Sequence, residues 1–123
     1  MSDMYREQLL EHARSPRNYG RLEAGALTCH LANPSCGDVI DVFIRLDADQ
    51  RIVEVSFTGQ GCVISQAATS ILLESVLGNR LDEAAGIDQA RVLELLGVIP
   101  GPMRMNCALL PLKALQKIYV DYK

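Results

Sequence analysis

Two runs of alternating residues dominate the first half of the chain: VIDVFIRLD at 39–47 and RIVEVSFT at 51–58, meeting at the turn-forming DADQ at 47–50. Alternation with period two belongs to extended chain, because successive side chains point to opposite faces. A link this short joins two strands only as an antiparallel hairpin. Ile40, Val42, Ile44 and Leu46 fall on one face, and Asp41, Phe43, Arg45 and Asp47 on the other. In the second run Val53, Val55 and Phe57 share a face. A two-stranded hairpin is marginal in water, so its apolar face must be covered by other parts of the chain.

The rest of the sequence supplies that cover. GQG at 59–61 is expected to break the second run. VISQAATSILLESVL then contains neither proline nor glycine and is apolar on most sides, which predicts a buried helix stopped by Gly78. A shorter helix is expected over 88–96 with Asp88 as its N-cap, followed by the rigid loop GVIPGP at 97–102. The last helix is expected to start near Cys107 and to break, kink or restart at Pro111, with Leu112, Leu115, Tyr119 and Tyr122 as its buried stripe. Upstream, Tyr5, Leu9 and Ala13 recur on one face of an amphipathic helix over 2–15, capped by Ser2 or Asp3 and ended by Ser15-Pro16. PRNYG at 16–20 reads as a loop, and ALTCHLA at 26–32 as a further strand. The order of helix, three strands and three helices predicts one α+β domain over 1–123, a small antiparallel sheet with helices packed on it.

With 123 residues, 49% of them hydrophobic, such a core is within reach without disulfides. The formal charge of −3 and the scattered Lys and Arg argue against a nucleic-acid partner, which would need a basic stripe. No apolar stretch reaches the roughly 18 residues needed to span a bilayer. The charged, helical start MSDMYREQLLEHARS is unlike a secretory signal, so a cytoplasmic protein is expected.

In that compartment thiols stay reduced and serve as metal ligands or nucleophiles, or else as small buried apolar groups. Of Cys29, Cys36, Cys62 and Cys107, three sit at element boundaries. Cys36 lies in the turn sequence NPSCGD at 33–38; Cys62 opens the helix after GQG; Cys107 is expected to open the last helix. Free N–H groups and the dipole at a helix N-terminus favour thiolate over thiol, and the thiolate is both nucleophile and metal ligand. There is no Cys-x-x-Cys pair, which excludes a zinc finger or ribbon, so any site is assembled by tertiary folding. Three thiolates are one ligand short of a tetrahedral site, and Asp38, two residues after Cys36, is placed to be the fourth. The other reading of Asp38 is a turn or cap residue. A carboxylate among thiolates is a hard donor among soft ones, which suits a site that holds a metal and also releases it.

The sequence resembles the IscU/SufU family of iron–sulfur cluster assembly proteins, which includes the N-terminal domain of NifU. HARSPRNYG at 12–20 is similar to the family's His-x-x-x-Pro-Arg-Asn-x-Gly segment. NPSCGD carries the first cysteine and the aspartate; FTGQGCVISQAATSILLE at 57–74 resembles the second-cysteine segment in its SufU-like form; RMNCALLPLKAL at 104–115 resembles the third. The resemblance implies an α+β fold of a three-stranded antiparallel sheet packed by four to five helices. It implies that Cys36, Asp38, Cys62 and Cys107 hold Zn²⁺ or a 2Fe-2S cluster. It also implies a cysteine desulfurase as partner, delivering persulfide sulfur to one of these thiols, and recipient apo iron–sulfur proteins downstream; a homo-oligomer is open. Cys107, with its Gly/Pro approach, is the candidate sulfur acceptor. Two functions follow: a scaffold that assembles a labile cluster, or a zinc-dependent sulfurtransferase that accepts persulfide sulfur and stimulates its desulfurase. The motifs are SufU-like and the length IscU-like. Asn106 stands where IscU members have His and SufU members Lys, VIPGPMRM replaces a Pro-Pro stretch, and the SufU insertion between Cys62 and Cys107 is missing.

Other residues weigh less. Cys29 matches no ligand position and reads as a small strand residue, and His30 as a surface or partly buried histidine. His12 reads as structural; Arg104 either pairs with Asp38 or a thiolate, or is exposed; Ser65 and Ser70 permit close packing; Met103 and Met105 are core or contact residues. A structural zinc domain would hold its metal against exchange. A cysteine-dependent enzyme would need His12 or His30 as base beside a thiolate.

Overall fold

The computed structural model describes residues 11, 19–20, 26–33, 37–61, 63–97 and 101–122. Three strands, β1 (Leu27–Asn33), β2 (Asp38–Leu46) and β3 (Ile52–Gln60), form an antiparallel sheet in the order β1-β2-β3. Four helices follow: α1 (Val63–Val76), α2 (Leu81–Ala85), α3 (Gln89–Leu96) and α4 (Pro102–Tyr122). The expected N-terminal helix lies outside the described residues except for Glu11, which is helical.

The hairpin forms as its alternation predicts. The Asp47 carboxylate accepts from the Asp49 and Arg51 amides at 2.9 and 3.0 Å, which fixes the DADQ turn. Ile40, Val42 and Ile44 are buried on the helix-covered face, opposite Leu31, Cys29 and Leu27 of β1 and Gly59, Phe57 and Val55 of β3. One expectation fails at the start of β3. Val53 is 49% exposed while Ile52 is fully buried. The register passes from Arg45↔Glu54 to Leu46↔Ile52, so Val53 is the extra residue of a bulge and the alternation slips by one there. GQG also does not break the strand at its first glycine: β3 runs through Gln60.

α1 is buried almost all round, through Ala67, Ala68, Thr69, Ser70, Leu72, Leu73 and Val76. α1 packs against α4 and β3, and α4 also buries small residues, Cys107, Ala108 and Ala114. Gly78, at φ +88°, ends the helix as expected, and its amide donates to the Ile52 carbonyl at 2.8 Å. Asp88 caps α3 by accepting from the Arg91 amide at 2.9 Å. The five-residue α2 was not anticipated; the Glu83 carboxylate closes its start by accepting from the Arg80 amide.

α4 departs most from expectation. It begins at Pro102 rather than near Cys107, with proline in the first helical position where its missing N–H costs nothing. It neither ends nor restarts at Pro111, which lies buried inside it. Ile118 is buried and Tyr122 is exposed, so the inner stripe runs through Leu112, Leu115 and Ile118 rather than to Tyr122. α4 lies across β1, β2 and α1. On the far edge of β3, the Gly20 amide donates to the Phe57 carbonyl at 2.8 Å and the Tyr19 ring meets Phe57 edge-on at 5.2 Å.

Candidate metal centre

Asp38 is the first residue of β2 and shares the helix-covered face with Ile40, Val42 and Ile44. It is only 1% exposed. A carboxylate is costly to bury without partners, so its place at the end of a buried row is not packing convenience. Gly37 before it sits at φ +74° with open space around it, so that glycine is required by the left-handed backbone and not by crowding.

The opposite wall is the end of β3. A Cβ on Gly59 would come 2.5 Å from the Val39 carbonyl oxygen, so this glycine lets the two strands approach to pairing distance. A Cβ on Gly61 would fall 2.7 Å from Asp38 Cγ and 3.0 Å from its Cβ, with one carboxylate oxygen closer still. The two glycines of GQG therefore have separate tasks. Gly59 admits backbone, and Gly61 admits the Asp38 carboxylate.

This contact joins the two cysteine-bearing segments. Asp38 is two residues after Cys36, and Gly61 immediately precedes Cys62. Cys36 and Cys62 lie outside the described residues. α1 starts at Val63, directly after Cys62 in the chain, as the sequence reading requires. Cys107 is fully buried in the second turn of α4. It does not open its helix, so the N-terminal dipole argument, which fades within the first turn, does not apply to it. Among the described residues no three His, Cys, Asp or Glu side chains form a metal-holding group, and two of the four expected ligands are outside them.

The other singled-out residues fall largely as expected. Cys29 is 5% exposed within the core, opposite Val42. Burial pushes its thiol up from the ordinary 9.0, partly offset by Lys117, with Asp121 and Asp41 adding to the rise. It is a neutral core thiol. His30 is exposed, its Nδ1 2.7 Å from Asp41 Oδ1 on the neighbouring strand. Ser65 and Ser70 are fully buried on α1. Gln89 Nε2 lies 3.7 Å from the sulfur of the half-buried Met105. His12 and the side chains of Met103 and Arg104 lie outside the described residues. The sequence reading missed the pairing of Gly61 with Asp38. Its only sequence signal is a glycine directly before one cysteine and another directly after a second.

Residues 4–123 match the sequence model of the family described as "NifU-like N terminal domain", and the chain belongs to that family. It is 34% identical over 119 residues to "Iron-sulfur cluster assembly scaffold protein IscU 1" of Archaeoglobus fulgidus, covering 97% of this chain and 76% of that protein. It is 33% identical over 134 residues to "Zinc-dependent sulfurtransferase SufU" of Bacillus subtilis, covering 95% and 90%. The fold is similar to a crystal structure described as a putative iron–sulfur cluster assembly scaffold protein for the SUF system from Fervidobacterium islandicum. The TM-score is 0.78 and the identity 29%, over 95% of this chain and 98% of that one.

Proposed function

We propose that this chain is an iron–sulfur cluster assembly scaffold, one domain over 1–123, that takes sulfur from a cysteine desulfurase and builds a labile 2Fe-2S cluster as cargo on Cys36, Asp38, Cys62 and Cys107. The observation that carries the reading is the buried Asp38 carboxylate seated in the space left by Gly61, between the segments that carry Cys36 and Cys62. The donor set fits the cargo. Thiolates hold iron or zinc through soft sulfur, and one hard oxygen makes a bond that exchanges more readily. Relatives named as scaffolds support the same function.

Sulfur delivery is thiol exchange. A Cys107 thiolate attacks the outer sulfur of the desulfurase persulfide, a new S–S bond forms, the partner's S–S bond breaks, and the partner's cysteine leaves as thiolate. Cys107 is fully buried here, so this step requires that docking of the desulfurase uncover the first turns of α4. Clusters then pass to recipient apo iron–sulfur proteins. No described helix is long and apolar enough to cross a membrane.

The second reading, a zinc-dependent sulfur acceptor, is favoured by the likeness to the Bacillus subtilis protein of that name. That alignment runs over more residues than this chain has, so the relative carries residues absent here, whereas the Archaeoglobus alignment does not exceed the chain's length. Anaerobic reconstitution with iron, cysteine and a cysteine desulfurase separates the two. Stoichiometric iron and acid-labile sulfide on the re-isolated protein are expected. Retained zinc, no cluster and a faster desulfurase would establish the second reading instead.

A further inference from the structure

The face of the sheet opposite Ile40 and Val42 carries a groove that the candidate centre does not use. Its volume is about 390 Å³, and it is lined by Tyr19, Val39, Asp41, Thr58, Gly59 and Gln60, all of them described residues. The strand register places them. Asp41 stands directly opposite Thr58, and Val39 directly opposite Gln60, so the two pairs form neighbouring rows on one face. Tyr19 closes the groove along the far edge of β3, where its ring meets Phe57 and its hydroxyl donates to the Gly59 carbonyl at 3.4 Å.

The lining selects the charge of a ligand. Asp41 is its one charged residue, with neither Lys nor Arg beside it in the groove. His30, opposite Asp41 on β1, has its Nδ1 2.7 Å from Asp41 Oδ1. Among the described residues nothing else bonds the Asp41 side chain, and the Thr58 hydroxyl and the Gln60 carboxamide have no partner. An anion would meet the carboxylate. An apolar ligand would strip water from these polar groups and return no hydrogen bond. A cation can take hydrogen bonds to the second carboxylate oxygen, the hydroxyl and the carboxamide oxygen, beside an aromatic wall. These acceptors are spread over two strands instead of converging on a point. A planar guanidinium, with five donors in a fixed fork and a surface that stacks on aromatic rings, fits that spread better than a compact ammonium.

The groove covers a ligand from one side only, since Tyr19 is 52% exposed and the Asp41 side chain 32%. Pockets for free small molecules enclose most of the ligand. An arginine projecting from another protein brings its own cover, and arginine is enriched at protein interfaces. Val39 and Gln60 adjoin Asp38 and Gly61 in the chain, so a partner held here sits at the end of the sheet that carries the candidate centre.

We propose that this groove is a docking site for an arginine side chain of a partner protein, with Asp41 as the charged anchor and Tyr19 as the aromatic wall. No lining residue is a proposed metal ligand, so the proposal does not rest on the metal-centre reading. It is tested on the full chain, labelled with nitrogen-15, by titrating a blocked glycine–arginine–glycine peptide and following amide shifts. The same peptide with citrulline, the neutral isostere, or with lysine in place of arginine is the control. Saturable shifts at the Asp41, Thr58 and Gln60 amides are expected with arginine, none with citrulline, and several-fold weaker binding with lysine. Asp41→Asn should weaken the arginine peptide about 10-fold, the low end for a hydrogen bond to a charged group. Tyr19→Leu should weaken it about 3-fold, as an exposed cation–π contact is lost. The amide spectra of both variants also report whether the sheet is intact. No saturable shift with arginine, shifts centred elsewhere, equal binding of citrulline or lysine, or wild-type affinity in a folded Asp41→Asn protein would each overturn the proposal.

Discussion

Placing a methyl group at Gly61 tests the contact on which the candidate centre rests. The new carbon would sit 2.7 Å from Asp38 Cγ and 3.0 Å from its Cβ, well inside the roughly 3.5–4.0 Å of relaxed carbon contacts. Asp38 is 1% exposed, so it has no free space to retreat into. Overpacking of this kind costs about 1–3 kcal/mol. Gly61 also has φ +157°, at the margin of what L residues adopt, which adds about 1 kcal/mol. Gly61→Ala should therefore destabilise the apo protein by about 2–4 kcal/mol in urea denaturation. In an Asp38→Ala background the carboxylate is gone, and only the backbone cost and the 3.0 Å approach to the Cβ that alanine keeps remain. The two substitutions should then show a coupling of about 1–3 kcal/mol in a double-mutant cycle. A Gly61→Ala protein within about 0.5 kcal/mol of wild type, or additivity within that margin, would refute the claim that Gly61 exists to admit the carboxylate.

Replacing Cys36, Cys62 or Cys107 singly with serine should abolish stoichiometric cluster formation, measured as iron and acid-labile sulfide; a fully loaded Cys62→Ser protein would contradict the proposed ligand set. Cys29→Ala should load like wild type. Because burial raises the folded-state pKa of Cys29, its contribution is present below pH 9.0 and is lost above it, as the unfolded thiol ionises first. Cys29→Ala should therefore lose stability less steeply than wild type as the pH rises above 9.0 in denaturant titrations, and identical slopes would count against a buried neutral thiol. Asp88→Ala should cost about 1 kcal/mol by removing the cap on the Arg91 amide, and a loss below about 0.3 kcal/mol would show that α3 is held by packing alone.

The hairpin was legible because alternation and a short polar turn leave extended chain few other options. The bulge was not, since Val53 and Ile52 are equally apolar and only the cross-strand register says which turns outward. α1 was legible from a long run without breakers, whereas α2 is too short to show periodicity. The start of α4 was misplaced because Pro102 reads equally well as loop or as a first helical residue, and Pro111 because the buried helix tolerates a missing amide. The proposed ligand cysteines rest on the sequence motifs, with Cys36 and Cys62 outside the described residues. The reason for GQG was not legible, because Gly61 and Asp38 are far apart in sequence and meet only once β2 and β3 pair.

The central claim is that the centre releases what it assembles. Its most direct test is transfer of a reconstituted cluster to an apo ferredoxin, followed by the recipient's absorption under anaerobic conditions, in the wild type and in Asp38→Ala. Complete transfer from wild type, and slower transfer from Asp38→Ala as the exchanging oxygen ligand is lost, is the predicted result. A cluster that stays on the wild-type protein, or equal rates in the two, would contradict the account.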